Sequence, residues 1–161
     1  MATRKFAILI VSVVLLLLAV LFVGIFPLTT SRVFLNQRRA MRSLMDLNQA
    51  QRRYAATHPK AGFACNLSDL AAGGPWPGSS AGLIDRVLAA GVKSYYAFAI
   101  HCQRSVDRAT VGYSITAVPV ERGVTGDYAL CTDQEGAVWY SENGSPSDCL
   151  AKRRPMPLEY R

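Results

Sequence analysis

Histidine is nearly missing from this 161-residue chain, which has two, His58 and His101. No Cys-x-x-Cys or His-x-x-His pair occurs, so the usual spacings of a zinc site are excluded. There is no Gly-rich phosphate loop, no G-x-S-x-G elbow and no H-E-x-x-H, so those phosphate-binding, hydrolase and metalloprotease signatures are all absent. His101 adjoins Cys102, but neighbours on a strand point to opposite faces and make a poor base–nucleophile pair. Asp127, Asp133 and Glu135 lie near a hairpin, where turns use Asp without needing calcium. No catalytic residue, metal or cofactor is therefore expected, and the chain does not read as an enzyme.

Charge is absent from residues 6–26, a run rich in Leu and Val. At 1.5 Å per residue such a helix spans about 31 Å, the thickness of a bilayer core. The run lacks a small-x-small cleavage site at Ile25-Phe26-Pro27-Leu28 and has no Cys close behind it. Those absences argue against a cleaved secretory or lipoprotein signal and for a retained anchor. Arg4 and Lys5 favour a cytoplasmic N-terminus, whereas Arg32, Arg38, Arg39 and Arg42 beyond the run favour the opposite orientation. The four cysteines, Cys65, Cys102, Cys131 and Cys149, all follow the run, and an even number in a small exported domain implies two disulfides. The expectation is a single-pass protein of the inner, cytoplasmic membrane, with its C-terminal domain outside.

The +7 net charge is not spread evenly. Arg32, Arg38, Arg39, Arg42, Arg52 and Arg53 lie in one short segment with only Asp46 to oppose them. The rest, from Tyr54 onward, carries equal numbers of basic and acidic side chains. A basic neck beside an anchor is explained by anionic headgroups. Nucleic acid is the alternative partner, because phosphate contacts are mainly electrostatic.

Glycine and proline are missing from Leu28 to His58. There Met41, Leu44, Leu47, Ala50 and Tyr54 recur at three- and four-residue steps, the signature of an amphipathic helix continuing from the anchor. Pro27 should bend this helix and Pro59 should end it. Beyond it, Asn66 caps a short helical turn, Gly73 to Gly78 forms a loop, and Leu83 to Leu88 forms a short helix closed by Gly91. Four strand-like runs follow: residues 94–102, 111–118, 127–132 and 137–141. Residues 133–136 read as a hairpin loop between the last two.

The fold class is α+β: a long N-terminal helix, half membrane-spanning and half amphipathic, packed on a four-stranded antiparallel sheet. The divisions expected are 1–5 cytoplasmic, 6–26 anchor, 27–58 spine, 59–151 head and 152–161 a mobile basic tail. Cys131 and Cys149 flank the last hairpin, which would leave Cys65 for Cys102, but spacing does not choose among three connectivities. Trp76 and Trp139 are candidate contact residues, with one of the two expected in the core.

This layout resembles the type IV pilins and the pseudopilins of type II secretion. The likeness lies in Ser43-Leu44-Met45-Asp46-Leu47-Asn48-Gln49-Ala50-Gln51-Arg52-Arg53-Tyr54 on the spine. It continues in Gly62-Phe63-Ala64-Cys65-Asn66-Leu67-Ser68-Asp69-Leu70, in Gly82-Leu83-Ile84-Asp85 and in Cys131-Thr132-Asp133-Gln134-Glu135-Gly136. The resemblance implies a non-catalytic subunit that contacts other pilin-like helices or a secretion platform. By spacing from Pro27, Phe6 matches the first residue of a processed pilin. The preceding residue, Gly in the family, is Lys5 here, and the helix Glu used in fibre assembly is Ile10. These departures imply a subunit that does not pack into a fibre in the usual way.

Overall fold

The computed structural model describes residues 2–71, 82–106 and 109–157, with the side chains of 2–9 and 22–31 outside that description. The expected Gly73–Gly78 loop and Trp76 also lie outside the described residues. The chain divides into two compact units, Met1–Arg32 and Val33–Arg161. One helix, α1 (Ala2–Thr57), contributes residues to both.

In the first unit, every described side chain from Ile10 to Leu21 is exposed, including Leu16 at 68%. Among the described residues no helix is long and apolar enough to cross a membrane. Helical backbone continues through Pro27.

In the second unit, α1 ends at Thr57 because His58 precedes Pro59, a position at which helical backbone is disfavoured. The Tyr54 carbonyl closes the last turn by accepting from the His58 N–H at 2.9 Å and from the Thr57 hydroxyl at 3.0 Å. Ala40, Leu44 and Leu47 on this helix are fully buried, as the three- and four-residue spacing requires. Asp85 caps α2 (Arg86–Ala89), its carboxylate accepting from the Val87 and Leu88 N–H groups at 3.0 Å. Gly91 follows with φ of +88°, which a side chain would strain.

The sheet has six antiparallel strands, not four: β1 (Val92–Lys93), β2 (Tyr96–Arg104), β3 (Thr110–Pro119), β4 (Ala129–Asp133), β5 (Val138–Ser141) and β6 (Arg154–Pro155). Their spatial order is their order in the chain. The two additions are two residues long, too short for alternation to be visible in a sequence. Register places Ile100, Ile115, Thr132 and Val138 in one row and Phe98, Ala117, Leu130 and Tyr140 in the next. Both rows face the helix and, with Leu44, Leu47 and Tyr113, build the core.

A short helix, α3 (Pro146–Lys152), contacts β3, β4 and β5 and bonds Cys149 to Cys131 on the sheet's other face. Residues 152–157, expected as a mobile tail, instead end α3 and form the edge strand β6. The cap Ser145, with Pro146 at the first turn, is the sequence signal that marks this helix.

Candidate interaction surfaces

The cysteines form two disulfides, Cys65–Cys102 and Cys131–Cys149. The first ties the segment after α1 to β2. The second fixes α3 on β4. His101 does not face Cys102: its ring meets the Thr116 hydroxyl at 3.3 Å, while Cys102 is in its disulfide. His58 stacks on Tyr54 with ring centroids 4.2 Å apart at the helix end.

Trp139 is a core residue and not an exposed contact. It is 8% exposed on β5, clustered with the Cys131–Cys149 bond and Leu150. The Arg153 guanidinium covers its ring at 4.7 Å and pairs with Asp133 at 2.8 Å. Arg153 itself adopts φ of +48° at the C-cap of α3, so the chain turns there and delivers β6 to β5. Among the described residues no acidic or cysteine–histidine cluster could hold a metal ion.

The neck arginines separate by unit. Arg32 is exposed in the first unit. In the second, Arg39, Arg42, Arg52 and Arg53 are exposed and Arg38 is half-buried, its guanidinium 5.8 Å from the Phe34 ring centroid. Helical spacing puts Arg38, Arg42 and Arg53 on the face opposite Leu44 and Leu47 and Arg39 and Arg52 on its flanks, with Asp46 as the single acid of the segment. Every ion pair found among the described residues involves Lys93, Lys152, Arg153 or Arg154, and none involves these five. Arg38 and Arg42 also border a groove of about 530 Å³, floored by Met41, Met45, Val138 and Met156.

A second feature escaped the hydrophobic pattern: the helix face on the sheet carries amides. The Gln37 carbonyl accepts from the Asp127 N–H at 2.8 Å. Asn48 donates to the Thr132 hydroxyl at 2.7 Å and accepts from the Tyr113 hydroxyl at 2.8 Å. Gln51 makes a reciprocal pair with the Ala64 backbone, both bonds at 2.8 Å. Buried amides are tolerated when bonded in this way, and only the Gln37 Nε2 lacks a partner among the described residues. Burial pushes the Tyr113 phenol up to about 12, with the Arg52 charge opposing that shift. The Lys93 hydrogen bond holds Asp85 below the usual carboxylate range, helped by the N–H groups of Leu88 and Val87 against the effect of burial.

Comparisons with known protein families, with curated proteins and with solved structures found no match.

Proposed function

We propose that the protein is a non-catalytic, membrane-anchored subunit of the pilin or pseudopilin type, acting through protein–protein contacts in a pilus or secretion assembly. Residues 6–26 serve as the anchor in the inner membrane, with the N-terminus cytoplasmic and the α+β unit outside. The observation that carries this reading is α1. One 56-residue helix presents exposed apolar side chains from Ile10 to Leu21 and, further on, supplies Leu44 and Leu47 to the core of the second unit. Continuous exposed apolar surface of that kind belongs against lipid or another apolar helix. Two disulfides and no free cysteine among the described residues support an oxidising compartment. The Lys5 and Ile10 positions favour a subunit outside the main fibre.

Alkaline carbonate extraction of native membranes, followed by protease added from outside, tests the reading. The expected result is a chain that stays in the pellet and whose second unit is reached by protease once the outer barrier is opened. Release by carbonate, or a second unit accessible only after the inner membrane is lysed, contradicts it.

The exposed Arg39, Arg42, Arg52 and Arg53, with the half-buried Arg38, favour a second reading, a pilin-like receptor for nucleic acid. It requires DNA binding that weakens steeply with salt and falls when Arg38, Arg39, Arg52 and Arg53 become Gln. Binding indifferent to those changes removes it.

A further inference from the structure

Between α1 and the strands β5 and β6, the second unit leaves open a groove of about 530 Å³. That volume falls within the range of small-molecule sites, about 300–1,000 Å³. Met41, Met45, Val138 and Met156 floor it, and Arg38 and Arg42 stand on its helix side. Met41 and Met156 are 6% and 4% exposed, whereas Met45 is 50% exposed. The floor is therefore closed at its base and open to solvent at Met45. Methionine is unbranched and polarizable, so such a floor moulds itself to an irregular apolar occupant.

Charge selects the rest of that occupant. Arg38 and Arg42 are one helical turn apart, so their side chains are neighbours on the helix surface. Neither forms an ion pair among the described residues. No carboxylate, hydroxyl or amide side chain is among the described residues lining the groove. Asp46, one turn beyond Arg42, lines a separate cleft with Arg53 and Asp85. Glu135, beside the groove's Gly136, pairs with Arg153 at 3.5 Å. A partner strand is a poor occupant, because the Gly136 N–H is taken by the Asp133 carbonyl at 3.0 Å and φ of +86° there ends the extended backbone. A hydrocarbon chain needs no backbone partners at all.

We propose that this groove binds a single-chain anionic amphiphile, a free long-chain carboxylate. Its carboxylate sits between Arg38 and Arg42, whose planar guanidiniums match a carboxylate with paired hydrogen bonds. Its alkyl chain lies along Met41, Met45 and Met156 and takes their exposed surface out of water. A neutral chain of the same length leaves both arginines unanswered, and a two-chain lipid leaves its second chain outside the single apolar floor. The site does not depend on the pilin-type reading.

Met41, Met45 and Met156 are three of the chain's four methionines, so methyl-labelled methionine reports on the floor directly by nuclear magnetic resonance. Full-length protein in phosphatidylcholine discs is titrated with dodecanoate and, separately, with dodecanol. Dodecanoate should shift those three methyl signals with an apparent Kd at least tenfold lower than dodecanol. Arg38→Gln with Arg42→Gln should raise that Kd at least tenfold. Arg39→Gln with Arg53→Gln, an equal loss of charge at residues that do not line the groove, should leave it within twofold. Met45→Asp, which sets a repelling carboxylate at the open lip, should weaken binding as well. No shift, equal shifts with dodecanol, equal effects of the two arginine variants, or indifference to Met45→Asp would each overturn the proposal. So would shifts that appear only after residues 158–161 are deleted, which assigns the groove to the chain's own tail. Saturation by phosphatidylglycerol built into the discs, which assigns it to bilayer lipid, would overturn it too.

Discussion

Asn48, on the long helix, accepts a 2.8 Å hydrogen bond from the hydroxyl of Tyr113, on an interior strand of the sheet. The same amide donates to Thr132 on the next strand at 2.7 Å. One side chain therefore sets both the rotation of the helix and its height against two strands. Leucines alone would fix neither, because apolar contact is not directional.

Replacing Asn48 with Ala leaves the Tyr113 hydroxyl and the Thr132 hydroxyl without their helix partner in a dry interior. A buried group stripped of its bond costs about 1–3 kcal/mol. Thermal unfolding followed by circular dichroism should show that loss. An unchanged midpoint means that water enters and replaces the amide.

Leu44 and Leu47 are fully buried on the same helix. Changing both to Asp puts two carboxylates into the core, at several kcal/mol each after relaxation. Since a domain of this size is stable by only about 5–15 kcal/mol, the second unit should fail to fold. Sheet signal and protease resistance at wild-type levels in this double variant contradict the packing described.

The two disulfides close segments of 37 and 18 residues. In the chain-entropy account these contribute about 4 and about 3 kcal/mol. Cys65→Ser with Cys102→Ser should therefore lower stability at least as much as Cys131→Ser with Cys149→Ser. The second pair also loosens the packing around Trp139, so its removal should shift tryptophan emission to the red. Denaturant titrations of the two double variants check the order, and emission spectra check the locality.

Tyr113 gives a pH dependence whose sign follows from linkage. Its phenol is raised from 10.0 to about 12 by burial, so the folded state holds the proton more tightly than the unfolded state. The contribution is fully present below pH 10 and is lost as pH rises toward about 12. Tyr113→Phe should flatten the fall of unfolding midpoint with pH in that alkaline window. A midpoint that falls equally in both proteins assigns the loss to other groups.

The spine was legible in the sequence because the absence of Gly and Pro from Leu28 to His58 and the steps between Met41, Leu44 and Leu47 all act locally. The four longer strands were legible for the same reason, displaced by one or two residues at their ends. What local patterns could not show were β1 and β6, each two residues long and defined by their neighbours rather than by alternation. Helix α3 was missed although Ser145-Pro146 signals its start, because the basic Lys152-Arg153-Arg154 run reads as a solvated tail. In the structure Arg153 is held by Trp139 and Asp133, partners distant in sequence. The amide contacts of Gln37, Asn48 and Gln51 were hidden similarly, since polar residues on a helix are ordinarily assigned to its wet side. The cysteine pairing was left open by spacing and is resolved by which strands meet.

The intact mass of the protein extracted from its native membranes, with and without reduction, tests the central claim most directly. A permanently anchored subunit with its head outside the cytoplasm predicts an uncleaved mass that rises by four hydrogens on reduction, two for each disulfide. A mass that does not change on reduction, or recovery of the chain only from the soluble fraction, would contradict it.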